Sequence, residues 1–189
     1  MPSHGDAATP GNFFALVTYV PAPLGPFLDT VRRKLVPGSV PRAHVTILPP
    51  RPLSASIGET AAWLDSALAS VQAFELEAAE VDVFDLTSVI YLGIAQGRAE
   101  LKATHQLLNS GPLEFEEPFI YHPHITVAQD LSPHQVPALS DEARALWAGF
   151  QGSRTFPVST LAFVQNTDGN RWLDLARWTL SGATLPADR

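Results

Sequence analysis

Segments of strand character alternate along this chain with segments in which apolar residues recur at helical spacing. The strand segments, which are either wholly apolar or alternate in polarity, are 13–20, 43–47, 74–78, 88–95, 123–127, 156–165 and 171–180. The helical segments are 27–36, 57–72, 100–109 and 140–150. Strands and helices mixed in this order predict an α/β or α+β protein with two similar lobes.

Proline and glycine divide these segments from one another. Prolines within residues 21–26 are expected to stop the first strand, and those within 49–52 to end the second strand or to place it at a sheet edge. An Asp-Gly pair at 168–169 predicts the turn of a closing hairpin. We expect a single domain over residues 1–189, with flexible tails at 1–11 and 182–189.

Two of the strand segments carry the same motif. The sequence His-Val-Thr-Ile occupies residues 44–47, and His-Ile-Thr-Val follows 80 positions later at residues 124–127. In a strand, successive side chains point to opposite faces, so the histidine and the threonine of each copy share one face. The apolar residues of each copy point to the other face, as in a strand that covers a core. We therefore expect one motif strand in each lobe, with the two strands side by side across a groove.

The side chains of His44, Thr46, His124 and Thr126 suit reactions at a phosphodiester. Histidine gives or takes a proton near neutral pH, so one ring can deprotonate an attacking oxygen while the other protonates the departing one. A threonine hydroxyl can donate a hydrogen bond to a non-bridging phosphate oxygen. The scheme requires no metal ion, and we expect no cofactor.

Composition limits the possible partners and the setting. A chain of 189 residues with 46% hydrophobic and 16% charged residues is typical of a globular protein. It has no cysteine, which excludes disulfides, thiolate metal sites and cysteine nucleophiles. A net charge of −7 argues against long nucleic acids, whose binding depends on many cations. Without a signal pattern or a long apolar run, we expect a cytoplasmic monomer with no membrane contact.

The two His-x-Thr strands, their separation and the closing hairpin with Arg171 and Trp172 resemble the 2H phosphoesterase superfamily, which includes 2'-5' RNA ligase-like proteins and cyclic nucleotide phosphodiesterases. The resemblance implies an α+β fold of two lobes of antiparallel-rich sheet, with helices outside, pseudo-twofold symmetry and a central groove. It also implies an acid/base pair of His44 and His124, with Thr46 and Thr126 as the phosphate-binding hydroxyls. Neither motif departs from the family pattern.

Other residues allow a functional interpretation beside a structural one. His122 and His124 form a His-x-His pair that could chelate a transition metal, although no third ligand is obvious. Tyr121 or Phe119 could stack on a base, although an aromatic beside a strand is more often part of the core. Arg42 could neutralise a phosphate or could be a solvated surface residue.

The favoured hypothesis is a metal-independent phosphodiesterase that opens 2',3'-cyclic phosphate ends of nucleotides or short RNA. Reversible 2'-5' RNA joining is an alternative within the same chemistry, and the sequence does not fix which histidine is the acid. A non-catalytic nucleotide-binding module and a metal-dependent enzyme are the alternatives from other classes.

Overall fold

The computed structural model describes residues 10–167 and 171–183. Its strands are β1 Pro10–Tyr19, β2 His44–Arg51, β3 Phe74–Phe84, β4 Val89–Gln96, β5 Ile125–Ala128, β6 Thr155–Val158, β7 Thr160–Thr167 and β8 Trp172–Thr179. Its helices are α1 Leu24–Leu35, α2 Ile57–Leu68, α3 Arg98–Leu108 and α4 Val136–Ala148. Residues 10 and 11 of the predicted N-terminal tail belong to β1. The rest of that tail, the C-terminal tail from residue 184 and the predicted turn at 168–169 lie outside the described residues.

The strands form one curled sheet whose neighbours are all antiparallel, in the order β6-β3-β4-β5-β2-β1-β7-β8. This order is symmetric about the junction of β5 and β2. The chain repeats the same sequence of elements on either side, as β1-α1-β2-α2 and as β4-α3-β5-α4. The predicted α+β fold with two similar lobes is thus confirmed, and the two motif strands lie next to each other where the lobes meet.

One face of the sheet packs on the helices and forms the core. Val45 and Ile125, the apolar residues between histidine and threonine in the two motifs, are both 0% exposed. Together with Ile47 and Val127 they belong to the main hydrophobic cluster. Since side chains alternate along a strand, this burial turns the polar residues of both motifs to the opposite face.

Several predicted boundaries differ from the structure. Helix α1 begins at Leu24, so that Pro26 lies in its first turn, where a missing N–H breaks no helical hydrogen bond. Strand β2 continues through Pro49 and Pro50 to Arg51. Both predicted alternatives are wrong, because β2 does not end before these prolines and lies between β5 and β1 in the sheet. The prolines fit because β5 is registered against β2 only at Val45, which leaves this part of β2 registered with β1 alone.

The predicted strand at 156–165 is two strands. They separate at Ser159, where β6 ends in one lobe and β7 begins in the other. A single apolar run therefore crosses from one side of the sheet to the other. Helix α4 also begins earlier than predicted, at Val136, and accommodates Pro137 in its first turn.

Beyond the motif, β2 ends in a buried ionic cluster. Arg51 is 0% exposed and pairs with Glu117. Its guanidinium also donates to Asn109 Oδ1 at 2.6 Å and to the carbonyl of Leu113 at 2.9 Å. The cluster ties the end of β2 to the segment that follows α3, because a buried arginine requires such partners for its charge and its N–H groups.

Candidate active site

The strand register places the two motifs side by side. Val45 of β2 is the partner of Ile125 of β5 in an antiparallel pair. Extended by one residue on either side, this register sets His44 opposite Thr126 and Thr46 opposite His124. The four polar side chains predicted from the sequence therefore meet on one face of the sheet, at the junction of the lobes.

The surroundings of the two motifs are nearly equivalent. From residue 41 to residue 50 and from residue 121 to residue 130, buried, half-buried and exposed positions follow one another in the same order. Both histidines and both threonines of the motifs are half-buried. They are accessible to a small ligand from the open face while their backbone is fixed in the sheet junction.

Both imidazoles are held in the same way by the backbone. Nδ1 of His44 lies 2.7 Å from the carbonyl oxygen of Arg42, and Nδ1 of His124 lies 2.7 Å from the carbonyl oxygen of His122. Because a carbonyl oxygen only accepts, each Nδ1 must carry the hydrogen. In the neutral ring this leaves Nε2 with a free lone pair, so each histidine presents a proton acceptor beyond its anchored side.

The pKa of both histidines is lowered from its ordinary value. Burial is the main cause for His44, and the positive charges of Arg32 and Arg42 add to it. Burial is again the main cause for His124, with further contributions from His122 and His44. The two rings are thus close enough for the charge on one to oppose protonation of the other. The lowered pKa of each ring favours its neutral form when no anion is bound.

The wall beside His44 is ionic. Tyr19, the partner of His44 in the register of β1 and β2, donates its hydroxyl to Asp174. Arg42 donates to the same carboxylate at 3.0 Å, and its guanidinium carbon lies 3.3 Å from the centroid of the Tyr19 ring. Arg177 binds Asp174 as well. Two cations around one carboxylate leave this wall with net positive charge.

The wall beside His124 is aromatic. Phe84 and Tyr91 stack with ring centroids 4.0 Å apart. The His124 ring meets Phe84 edge-on at 5.0 Å, and the His122 ring does so at 5.2 Å. The Tyr91 hydroxyl donates to Asp82 at 3.3 Å. The open face around the motifs thus has a charged side and a side that suits a flat, apolar group.

Sequence reasoning missed most of these wall residues. Tyr19 and Tyr91 were predicted only as parts of strands, and Asp174 only as part of the closing hairpin. Phe84 fell between two predicted strands, because β3 extends further than the alternation at 74–78 indicated. Strand parity could have placed Tyr19 on the face of the motif, but the partners on β8 depend on a strand order that the sequence does not reveal.

The structure also places the other candidate residues from the sequence, Arg42, Tyr121 and Phe119. Arg42 is exposed, as the surface interpretation required, yet it is also bound to Asp174. Tyr121 is half-buried against the main hydrophobic cluster and donates its hydroxyl to the carbonyl of Thr46 at 2.7 Å. Phe119 is 64% exposed and so does not belong to the core.

The part of the chain that the structure describes contains no three-ligand metal cluster and no helix suited to span a membrane. No group of three or more His, Asp or Glu side chains in residues 10–167 and 171–183 is arranged to hold a metal ion. The His122 ring packs edge-on against Phe84 and Tyr91. No helix within the same residues is long and apolar enough to cross a membrane.

Comparisons with known proteins identify relatives. The model of the 2'-5' RNA ligase superfamily matches residues 20–170. A crystal structure of a phosphoesterase has a TM-score of 0.63 at 18% identity, with 90% of this chain and 98% of that chain covered. E. coli LigT complexed with 3'-AMP has a TM-score of 0.61 at 19% identity, with coverage of 90% and 98%. At such identities a structural likeness shows a shared fold alone. No curated protein matches the sequence.

Proposed function

This chain belongs to the 2'-5' RNA ligase superfamily, and we propose that it is a metal-independent phosphodiesterase that opens 2',3'-cyclic phosphate ends of nucleotides or short RNA. The observation that carries the proposal is the register of β2 and β5, which aligns both His-x-Thr motifs on one open face. The matching hydrogen bonds at both Nδ1 atoms support it, since they leave two Nε2 atoms for proton transfer.

The proposed reaction uses each histidine once. One Nε2 takes a proton from water as the water oxygen forms a bond to phosphorus. The bond from phosphorus to one ribose oxygen breaks, and the other histidine, protonated at Nε2, gives its proton to that oxygen. The hydroxyls of Thr46 and Thr126 donate to the non-bridging oxygens, where negative charge increases in the transition state. The product is a ribose phosphomonoester, and proton exchange with solvent restores the starting state.

The net negative charge of the chain favours small substrates. LigT has been crystallised with 3'-AMP and with ATP, which shows that a protein of this fold accepts nucleotides. In this chain, the stacked rings of Phe84 and Tyr91 offer the nucleobase of the substrate an aromatic surface on the His124 side of the site.

The direct test is incubation of the purified protein with 2',3'-cyclic AMP in the presence of EDTA. We expect turnover to a 2'- or 3'-monophosphate, detected by chromatography, at the same rate with and without EDTA. Binding without turnover would identify a nucleotide-binding module, and activity abolished by the chelator would identify a metal-dependent enzyme. Supplying an RNA with a 5'-hydroxyl end tests for joining.

The pH dependence follows from the lowered pKa of His44 and of His124. The base must be neutral, so activity falls below its pKa, and the acid must carry a proton, so activity falls above its pKa. Because kcat/KM reports the free enzyme, we expect a bell with its optimum below about pH 6.5, the ordinary pKa of histidine. A bound anion favours the protonated ring, so the bell for kcat should lie at higher pH. A kcat/KM optimum above pH 7 would contradict the proposed roles.

The threonine hydroxyls should matter through the transition state. We expect Thr126→Val, which keeps the shape of the side chain, to lower kcat by about 10²-fold, as for the loss of one donor to a developing oxyanion. Thr126→Ser retains the hydroxyl and should recover most of the rate. Steady-state kinetics on 2',3'-cyclic AMP measure both variants, and equal rates for valine and serine would remove the hydroxyl from the mechanism.

A further inference from the structure

Both motif strands carry a bulge one residue after the threonine. Between β1 and β2, Val17 pairs with Thr46 and Leu16 pairs with Leu48, which leaves Ile47 as an extra residue. Between β4 and β5, the pairs of Tyr91 with Thr126 and Ile90 with Ala128 leave one extra residue at the corresponding position. A bulge bends a strand and redirects the adjacent side chains. Its conformation therefore affects where the threonine hydroxyl points.

The bulge in β2 is held by two side chains. The Tyr121 hydroxyl donates to the carbonyl of Thr46 at 2.7 Å, and Nδ1 of His105 donates to the carbonyl of Ile47 at 2.8 Å. The rings of Tyr121 and His105 stack with centroids 4.0 Å apart and planes 3° apart. β5 is registered with β2 only at Val45. The stacked pair thus supplies hydrogen bonds that a neighbouring strand would otherwise give.

The stacked pair lies beside the buried ionic cluster. Nε2 of His105 lies 3.6 Å from the Glu117 carboxylate oxygen that also pairs with Arg51. Arg51 ends the same strand whose bulge the pair supports. Burial, with the charge of Glu117, raises the pKa of Tyr121, so its hydroxyl keeps its proton and remains a donor.

We propose that Tyr121 is a positioning residue for the reaction: through its hydrogen bond to the Thr46 carbonyl it fixes the bulge that directs the Thr46 hydroxyl toward the bound phosphate. This inference rests on the proposed function. Tyr121 acts from the far side of the strand, through Thr46, and takes no part in proton transfer.

The test is a double-mutant cycle. Tyr121→Phe removes one hydroxyl and should lower kcat for 2',3'-cyclic AMP about 10-fold, with a smaller change in KM, because a misdirected donor weakens the transition state more than binding. In a Thr46→Val background the same change should cost less than about twofold, since the hydroxyl that it directs is gone. Equal losses in the two backgrounds, or no loss in either, would overturn the proposal.

A matched control separates positioning from general loosening of the fold. Thr104, next to His105 on α3, is buried and donates its hydroxyl to the carbonyl of Glu100 at 2.8 Å. Thr104→Val also removes one buried hydroxyl hydrogen bond, and it should leave kcat within about twofold of the parent. A 10-fold loss in this variant would show that any local weakening has the same effect.

A binding measurement keeps the inference testable if the chain does not turn over cyclic phosphates. The affinity for 3'-AMP is then measured by calorimetry for the same four proteins of the cycle. We expect Tyr121→Phe to weaken binding about threefold when Thr46 is present and to have no effect when Thr46 is valine. Equal effects in the two backgrounds would reject the role of Tyr121, whereas absent turnover alone rejects only the proposed reaction.

Discussion

Replacing His44 or His124 by alanine is expected to lower kcat/KM for 2',3'-cyclic AMP by about 10²- to 10⁴-fold, the usual contribution of a positioned acid or base. Each variant removes one end of the proton transfer and leaves the opposite imidazole in place. Because the two rings act in one step, the kcat/KM of the double variant should be little lower than that of the less active single variant. Steady-state kinetics at several pH values measure the loss, and each single variant should lose one limb of the bell.

The control is His134→Ala, since His134 is exposed and lies outside both motifs. It should keep the activity of the parent. Circular dichroism should show unchanged folds for all three single variants. Full activity in either motif variant would exclude the two-histidine mechanism. If the same limb of the pH profile persisted in both single variants, the pKa behind that limb would belong to neither ring.

Replacing Arg51 by methionine should lower the free energy of unfolding by about 3–5 kcal/mol. Methionine fills much of the space but leaves the Glu117 carboxylate without its cation. It also removes the Arg51 donor from the Leu113 carbonyl and one of the two donors of Asn109 Oδ1, which keeps the N–H of Phe115. A buried charge that loses its partner is costly because no water replaces the interaction. Urea denaturation, with the slope checked for two-state behaviour, measures the change.

The matched control for Arg51 is Arg144→Met. Arg144 pairs with Asp141 at 3.0 Å on α4, and both side chains are at least half exposed. Exposed ion pairs contribute about 0 to 1 kcal/mol, so this variant should remain within that range. A loss below about 1 kcal/mol for Arg51→Met would show that the buried cluster contributes little to the stability of the fold.

The sequence predicted the parts of this molecule that depend on local periodicity. Alternation of polarity located both motif strands, and it assigned the histidines and threonines to one face, where the register of Val45 with Ile125 brings them together. The acid/base and phosphate-binding roles of these residues stay predictions. The repeat of the motif also indicated two lobes, because each copy needs a similar strand-and-helix environment.

What the sequence could not predict depends on partners that are distant in the chain. The proline-rich segment around Arg51 was expected to end a strand or lie at a sheet edge. The burial of Arg51 depends on three partners 58 to 66 positions away, Asn109, Leu113 and Glu117. The run at 156–165 has the composition of one strand, yet the sheet divides it at Ser159 because the two halves pair with opposite lobes. The sequence offered Tyr121 as a base-stacking or a core residue. Its hydrogen bond to the Thr46 carbonyl could not be predicted, because it depends on β5 being registered with β2 only at Val45.

A crystal structure with inorganic phosphate bound measures most directly whether the two motifs form one site. We expect a single anion whose oxygens lie within hydrogen-bond distance of Nε2 of His44 and Nε2 of His124, with the hydroxyls of Thr46 and Thr126 on the remaining oxygens. A phosphate bound to one imidazole alone, or bound elsewhere on the sheet, would contradict the account.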